Sequence, residues 1–446
     1  MGPGFELPGI PVALSALLLE AAAGARLALV GGAVRDLLLH RVHNDPWRGL
    51  PDLDLVVEGS AADLVRRLAA LLEPSRIRDS QPPDPSPRQG SALVAAQEHG
   101  AYGTVELELN VSSQAVLLDL ATARQETYPQ PGENPVVSFG SLESDLARRD
   151  FTINAMALVF GAGQLLDPHG GQRDLQQRLL RFLHAGSVAD DPTRLVRGAR
   201  YAARLGFELA PEALEQARST LAAWPWRWRQ GDDPGQAPPA LGTRLRMELE
   251  LLLEREPWPQ ALGALQRWGA LALLDGPLQV DQGWRRRLRW AERLGLPLLP
   301  VLVATAADPL ALAERLQLPH RQHKLLAQWL ELRRRWQHLD PRSAFGVAAH
   351  AEGPTAWGAP QWCQWLEEPG LSPDAVALEL VCGSGDPSPL GSAPRRPLLR
   401  WWLRWRHIKA PMGAAELMAA EGLRPGPAVG DRLRQLRAER MASERL

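Results

Sequence analysis

The pattern of apolar residues changes near Ala210, and this change limits the possible folds more than any other feature of the sequence. Before that residue, short apolar runs typical of β-strands alternate with helical segments. After it, leucine, alanine and arginine recur at helical spacing between breaks rich in proline and glycine. With 446 residues, of which 45% are apolar, the chain is long enough for two or three domains with separate cores. The sequence therefore predicts an α+β fold, in which a small mixed-sheet head precedes an all-α neck, body and tail.

The overall composition argues against several classes of protein. The net charge of −1 excludes a generally basic surface, so any affinity for nucleic acid must come from local patches. Two cysteines, Cys363 and Cys382, cannot form a disulfide framework or a zinc site of their own, which favours a cytoplasmic location. The apolar run at 12–23 contains Glu20, lacks a basic leader and is too short to span a bilayer. We therefore expect an amphipathic first helix and no membrane partner.

Two aspartates separated by one residue, Asp52 and Asp54, lead into an apolar run that ends at Val57. On a β-strand, residues i and i+2 point to the same face, so both carboxylates lie near one spot. Their mutual repulsion is unfavourable unless a cation lies between them, and paired oxygen ligands suit Mg²⁺. The pattern predicts a Mg²⁺ site, and the alternative is a pair of strand-end aspartates without a ligand.

A glycine pair lies upstream of these aspartates, where the apolar run 27–30 meets Gly31 and Gly32 before a helical pattern begins. Glycine lets backbone N–H groups approach a ligand closely, and the N-terminus of the following helix favours anions. Arg35 falls in the first helical turn, where its guanidinium can bind a phosphate. A tight turn with a surface arginine is the alternative, and the neighbouring acidic strand favours the phosphate site.

A stripe of arginines follows Asp191 and Pro192, which suit the N-cap and N1 positions of a helix. Its members recur at steps of three and four residues and are Arg194, Arg197, Arg200 and Arg204. Acidic partners at i,i+4 positions are missing, so the stripe predicts contact with an external anion. A solvated charged face is the alternative.

Four motifs occur in order, namely Gly-Gly-x-Val-Arg-Asp from Gly31, Asp-x-Asp from Asp52, Arg-Arg-Asp-Phe-Thr-x-Asn-Ala from Arg148 and Asp-Asp-x-x-Arg-x-x-Arg from Asp190. Together they resemble the class II tRNA nucleotidyltransferases. That family comprises the CCA-adding enzymes and bacterial poly(A) polymerases, within the DNA polymerase beta superfamily. The resemblance covers residues 27–207, and a weaker match continues over 242–274. One departure is Asp190, where the family usually has glutamate.

The resemblance implies a role for each motif. Asp52 and Asp54 are expected to hold the catalytic Mg²⁺ ions, while Asp191 and Arg194 match the pair that recognises the incoming base. The remaining contacts to the nucleotide, or to the residues that position it, are implied at Gly31, Gly32, Arg35, Arg149, Arg197 and Arg200. Arg149 is expected to help distinguish ribose from deoxyribose. Asp119, on a second apolar strand, is our candidate for a third catalytic carboxylate, and the alternative is a strand-end aspartate paired with an arginine.

The reaction implied is attack of a tRNA 3′-hydroxyl on the α-phosphate of a nucleoside triphosphate, with release of pyrophosphate. The segment 124–137 resembles the loop of relatives that add the terminal adenosine, so we expect ATP as substrate and a separate CC-adding enzyme upstream. A complete CCA-adding enzyme that also uses CTP, a poly(A) polymerase and a non-catalytic RNA-binding protein are the alternatives.

The expected domains are a catalytic head at 1–160, a neck for base recognition at 161–275 and a tRNA-binding body and tail at 276–446. Within the last of these, clusters of tryptophan and arginine are candidates for contacts with tRNA phosphates, although core packing is the usual role of tryptophan. The segment 74–92 is rich in proline and serine and is expected to form an exposed or disordered loop.

Overall fold

The computed structural model describes residues 10–49, 52–72, 91–99, 103–338, 357–383 and 395–443. The chain divides into two compact units, Met1–Arg229 with Pro238–Leu273 and Gln230–Ala237 with Leu274–Leu446. The three domains expected from the sequence stay predictions. The segment 74–92 lies outside the described residues, except for its last two.

A mixed seven-stranded sheet forms the centre of the first unit, in the order β3-β4-β5-β2-β1-β8-β9. The strands of this unit are β1 (Leu27–Val30), β2 (Asp54–Val57), β3 (Ala92–His99), β4 (Thr104–Val111), β5 (Gln114–Thr122), β6 (Arg124–Thr127), β7 (Val136–Phe139), β8 (Ala157–Val159), β9 (Gln164–Leu166), β10 (Leu179–Leu180) and β11 (Glu208–Leu209). Among the described strands of the large sheet, β2 and β5 are the only pair that runs parallel. β6 pairs with β7, and β10 with β11, in two small sheets.

Ten helices surround these strands in the described part of the first unit. They are α1 (Val12–Ala22), α2 (Gly32–His43), α3 (Ala61–Leu72), α4 (Leu142–Ala147), α5 (Gly171–Gln177), α6 (Ser187–Asp190), α7 (Thr193–Leu205), α8 (Pro211–Ala223), α9 (Thr243–Arg255) and α10 (Trp258–Trp268). All four residues of β1 are buried, which explains its uninterrupted apolar run. Val30 and Val56 pack in one core cluster with Leu142 and Leu146 of α4.

The second unit is helical throughout its described residues, as predicted, and the last strand of the described chain ends at Leu209. Its helices are α11 (Gly276–Val280), α12 (Trp284–Leu294), α13 (Leu298–Val303), α14 (Pro309–Arg315), α15 (His320–Gln337), α16 (Ala359–Leu366), α17 (Pro373–Cys382), α18 (Arg395–Leu403), α19 (Ala414–Glu421) and α20 (Pro427–Ser443). Trp362, Trp365, Trp401 and Trp405 are buried in a single core cluster, so these tryptophans have the packing role. No helix among the described residues is long and apolar enough to cross a membrane.

Candidate active site

A cavity of 590 Å³ in the first unit contains most of the residues singled out from the sequence. The predicted residues that line it are Gly31, Gly32, Asp54, Asp119, Arg149, Asp191, Arg194 and Arg197. Asp52, Arg35 and Arg200 do not line it. A cavity of this size is typical of sites for small molecules and cofactors.

Asp54 and Asp119 are brought together by strand pairing. They are register partners in the parallel ladder between β2 and β5, so their side chains point to the same face of the sheet. Burial raises the pKa of Asp54 to about 6, and the charges of Asp119 and Asp52 add to this shift while Arg149 opposes it. Burial and the charge of Glu106 also raise the pKa of Asp119. The negative charges of Asp54 and Asp119 repel one another, and a bound cation would relieve this repulsion.

Asp52 precedes β2, is exposed and does not line the cavity, so the shared face predicted for Asp52 and Asp54 stays a prediction. Among the residues that the structure describes, no three acidic, histidine or cysteine side chains are grouped closely enough to hold a metal ion. The paired carboxylates nevertheless fit a hard divalent cation, because such an ion commonly takes only one or two protein carboxylates.

The glycine turn places Gly31 directly between two charged side chains. Its φ is +70°, and a Cβ atom there would lie 3.0 Å from Nη1 of Arg149 and 3.4 Å from Oδ2 of Asp54. Arg149 donates from Nη2 to Asp145 Oδ2 at 2.9 Å, while its buried Nε has no hydrogen-bond partner in the described chain. The turn therefore needs glycine both for its backbone conformation and for space.

Replacing Gly31 by alanine is expected to reduce both stability and nucleotide binding. The positive φ alone costs about 1–2 kcal/mol for a residue with a Cβ atom, and the methyl group also displaces Arg149. Gly24→Ala is a matched control, because Gly24 has φ +88° with nothing within 4 Å of the added atom. Thermal unfolding and the KM for nucleoside triphosphate check this. Equal KM values in the two variants would contradict the role of the turn in binding.

Asp191 and Arg194 lie at the start of α7 and face the same cavity. Oδ1 of Asp191 accepts from the backbone N–H of Thr193 at 3.0 Å and from its hydroxyl at 2.6 Å. Arg194 is buried and donates to two backbone carbonyls, of Arg148 at 3.0 Å and Ser187 at 3.4 Å. An acceptor and a donor are thus held next to each other at one wall of the cavity.

The arginine stripe lacks acidic partners at i,i+4 within α7, as the sequence indicated, but it has acidic partners from other elements, and its predicted contact with an external anion stays a prediction. Arg197 donates to Glu248 at 3.0 Å, and Arg200 donates to the same carboxylate at 2.5 Å. Arg204 donates from Nε to Glu256 at 3.0 Å. Glu248 is on α9, and Glu256 lies just beyond its end. Arg197 and Glu248 are 51 residues apart along the chain. Inspection of i,i+4 positions on one helix cannot find partners that tertiary packing supplies.

Arg35 is buried rather than exposed at the glycine turn. It donates to both oxygens of Asp36, at 2.8 and 3.1 Å, and from Nη1 to Asn154 Oδ1 at 2.8 Å. Its predicted contact with phosphate stays a prediction, and the structure places it as a support for the motif that contains Asn154.

Asp150 of the same motif is buried and accepts hydrogen bonds from the Phe151 backbone at 2.8 Å, Asn154 at 3.0 Å and Arg197 at 2.8 Å. Burial alone would raise its pKa, but the charge of Arg197 and these hydrogen bonds lower the pKa of Asp150 to about 2. Asp150 therefore stays ionised and connects the motif to α7.

Several other residues that line the cavity were not predicted from the sequence, and the first of them are on β6. Glu126 accepts from Arg148 at 3.0 Å, from Arg124 at 2.9 Å and from the Tyr128 hydroxyl at 3.1 Å. All four residues line the cavity, as does Arg244 at the start of α9. The i, i+2, i+4 spacing of Arg124, Glu126 and Tyr128 is the signal that could have indicated one shared strand face.

Comparison with known proteins identifies the family. Residues 89–181 match the Poly A polymerase head domain. The chain is 39% identical over 326 residues to the CC-adding tRNA nucleotidyltransferase of Deinococcus radiodurans, covering 71% of this chain and 74% of that protein. It is 41% identical over 188 residues to the A-adding tRNA nucleotidyltransferase of Aquifex aeolicus, which covers 42% of this chain but 19% of that protein.

Two solved structures of CCA-adding enzymes share the fold of this chain. An apo form of a CCA-adding enzyme has a TM-score of 0.65 at 20% identity, with 98% of this chain and 94% of that chain covered. The Thermotoga maritima CCA-adding enzyme complexed with tRNA has a TM-score of 0.61 at 20% identity, with 97% and 92% covered. The mixed-sheet head and helical remainder are thus those of CCA-adding enzymes, and with the Deinococcus relative they show that this chain belongs to the tRNA nucleotidyltransferase family.

Proposed function

We infer that this enzyme helps to build the CCA end of tRNA, by transferring nucleotides from ribonucleoside triphosphates to the 3′-hydroxyl with release of pyrophosphate. One observation carries the proposal: a single cavity contains the carboxylates Asp54 and Asp119 as well as the polar pair Asp191 and Arg194. The first group suits a metal–phosphate centre, and the second suits a nucleobase. Without a template strand, protein side chains must select the base.

Asp54 is the main ligand we assign to Mg²⁺, with Asp52 and Asp119 beside it. Bound there, divalent metal ions would lower the pKa of the attacking hydroxyl and neutralise charge on the leaving pyrophosphate. The protein's own contribution is positioning. In this proposal, Arg149 and the backbone at Gly31 hold the triphosphate and ribose beside Asp54.

For the base, Asp191 supplies an acceptor for an exocyclic amine, and Arg194 supplies a planar donor group. Cytosine and adenine both carry such an amine next to a ring nitrogen that accepts a hydrogen bond. This shared feature explains how one pair of side chains can serve either nucleotide of the CCA end.

Metal affinity is expected to fall below about pH 6, the pKa of Asp54. This pKa is raised, so lowering the pH protonates the carboxyl and removes a ligand, which weakens binding up to about tenfold per pH unit. Titration with Mn²⁺ as probe at about pH 5 and about pH 7.5 measures the effect. Asp54→Asn is the control and should show weak binding at both values. Equal affinity for the unmodified protein at both pH values would contradict the assignment.

Two observations favour different nucleotides. The segment 124–137 resembles the loop of A-adding relatives, which favours ATP and the terminal adenosine. The second candidate, addition of the two cytidines from CTP, is favoured by the CC-adding Deinococcus relative, whose similarity extends over 71% of this chain. An enzyme limited to either step depends on another enzyme for the remaining nucleotides.

The test is incorporation of labelled CTP and ATP, supplied separately and together, into tRNA ending at the discriminator base, at C and at CC. ATP uptake only on the CC end would support A addition, and CTP uptake only on the two shorter ends would support CC addition. A finished CCA end made from both nucleotides indicates a complete enzyme, and a long A tail indicates a poly(A) polymerase. No incorporation on any of the three ends would overturn the proposed function.

A further inference from the structure

Two apolar side chains of α9 are exposed to solvent. Met247 is 53% exposed and Leu251 is 39% exposed, and their i,i+4 spacing places them on one face of the helix. The residues that α9 contributes to the core are different ones, namely Leu245, Leu249, Leu252 and Leu253. Packing within the first unit therefore does not explain why the exposed face of α9 carries these two residues.

The position of Met247 distinguishes it from other exposed apolar residues, which are common on protein surfaces. Among the large apolar side chains that are exposed in the described chain, it is the one that lines the cavity with Asp54 and Asp191. Leu251, about one turn further along α9, does not line the cavity. The two side chains therefore form an apolar strip that begins inside the cavity and continues outwards along the helix.

The carboxylates of α9 that are nearest to Met247 along the chain are neutralised by arginines. Glu248 accepts from Arg197 at 3.0 Å, and Glu250 pairs with Arg246 at 3.0 Å. Neither carboxylate therefore presents a free negative charge to the phosphates of a nucleic acid that crosses the strip.

The acceptor is the substrate whose chemistry fits this strip. Its terminal nucleotide must bring the 3′-hydroxyl to the carboxylates in the cavity, and its terminal base differs between a tRNA that ends at the discriminator base and one that ends in C. Hydrogen bonds to base edges would favour one base over the others, whereas contact with the face of a base tolerates every base. Methionine suits such a contact, because its side chain is unbranched, adaptable and polarisable next to an aromatic ring.

We propose that Met247 and Leu251 form a platform on which the unpaired 3′ end of the acceptor tRNA packs. Met247 contacts the face of the terminal base, and Leu251, outside the cavity, contacts the base before it. The inference rests on the proposed function, because it requires the 3′-hydroxyl of tRNA as the nucleophile. It concerns the acceptor alone and leaves the choice of the incoming nucleotide to Asp191 and Arg194.

The main experiment combines Met247→Gln with tRNA acceptors that lack the terminal base, in which an abasic ribose keeps the 3′-hydroxyl. The substitution keeps the length of the side chain but replaces the apolar contact by a polar amide. It should lower kcat/KM for intact tRNA about fivefold, and the KM for nucleoside triphosphate should change by no more than about twofold. On the abasic acceptor the same substitution should have little effect, because the contact that it removes is already missing.

Three further variants test the platform. Met247→Leu keeps an apolar side chain and should retain kcat/KM for tRNA. Val42→Ala is the matched control and should also retain it, because Val42 is 61% exposed on α2 and does not line the cavity. Leu251→Ala should lower kcat/KM for tRNA about threefold, and this loss should disappear when the base before the terminal base is absent. All these positions are exposed, so the variants should fold like the unmodified protein.

The outcomes separate this inference from the proposed function. If Met247→Gln lowers kcat/KM for intact and abasic tRNA by the same factor, or changes neither, the platform is wrong, while incorporation by the unmodified enzyme still supports tRNA as the acceptor. A raised KM for nucleoside triphosphate with unchanged kcat/KM for tRNA would also overturn it, because Met247 would then contact the incoming nucleotide. If the unmodified enzyme adds nothing to any of the three tRNA ends, the proposed function fails and the inference is rejected with it.

Discussion

Replacing Asp54 by alanine, alone or together with Asp52→Ala, is expected to lower nucleotide incorporation by at least about a thousandfold, equivalent to roughly 4 kcal/mol of transition-state stabilisation. The reason is the position of this carboxylate, which is half-buried at the wall of the cavity beside Asp119. Single-turnover incorporation into tRNA, with labelled nucleotide, measures the effect. The affinity for tRNA should change by no more than about twofold, because a side chain in the nucleotide cavity adds little to a large RNA interface.

The stability of the Asp54 variants distinguishes lost chemistry from lost folding. The raised pKa of Asp54, about 6, means that its ionised form is disfavoured in the folded protein. Its ionisation therefore lowers stability as pH rises from the ordinary value of 3.8 through 6. Asp54→Asn should be more stable than the unmodified protein at neutral pH, by about 1–2 kcal/mol in the absence of metal. Asp63 supplies the control, since it is on α3 and does not line the cavity, and Asp63→Ala should retain activity. Activity within tenfold of the unmodified level in Asp54→Ala would refute the metal-ligand role.

Replacing Asp150 by alanine is expected to destabilise the first unit by about 1–3 kcal/mol, because it leaves the half-buried guanidinium of Arg197 without its closest carboxylate. The hydrogen bonds to Asn154 and to the Phe151 backbone are lost as well. Denaturant unfolding at neutral pH measures the loss. Asp150→Asn keeps the shape and one acceptor oxygen, so it should lose less stability than Asp150→Ala.

The same carboxylate predicts a pH dependence. The pKa of Asp150 is lowered to about 2 from 3.8, so its stabilising contribution is fully present above about 3.8 and is lost as pH falls through about 2. The contribution is roughly 2 kcal/mol. Between about pH 4 and pH 2, the unmodified protein should therefore lose more stability than Asp150→Asn, in which this group cannot titrate. Parallel unfolding curves for the two proteins over this range, or unchanged stability of Asp150→Ala, would show that Asp150 is not the anchor of the motif.

The motif residues divide into those whose role follows from local spacing and those whose role does not. The glycine turn and the Asp-x-Asp pair are local features, and β1, β2 and α2 form where the sequence predicts them. Asp119 was placed only on a second apolar strand. Its contact with Asp54 depends on the parallel register of β5 with β2, which joins residues 65 positions apart, 119 minus 54. No local periodicity encodes that register.

The arginines show more clearly what residue spacing along the chain cannot predict. Spacing along α7 correctly placed Arg197 and Arg200 on one face of the helix. It did not reveal that Glu248 and Glu256 cover that face. Arg35 is a parallel case, since its position in the first turn of α2 suggested exposure, whereas Asp36 and Asn154 surround it.

The sequence by itself determined the order of the motifs, the membership of the family, the change from mixed sheet to helices near Ala210 and the carboxylates of the candidate centre. These properties depend on residue type and on spacing within a single strand or helix. The tertiary structure alone decided which charged groups face the cavity and which neutralise each other inside the first unit. That choice depends on strand register and helix packing between residues distant in the chain. Burial makes an unpaired charge unfavourable, and the arginines of α7 accordingly lie beside a carboxylate or carbonyl supplied by another element.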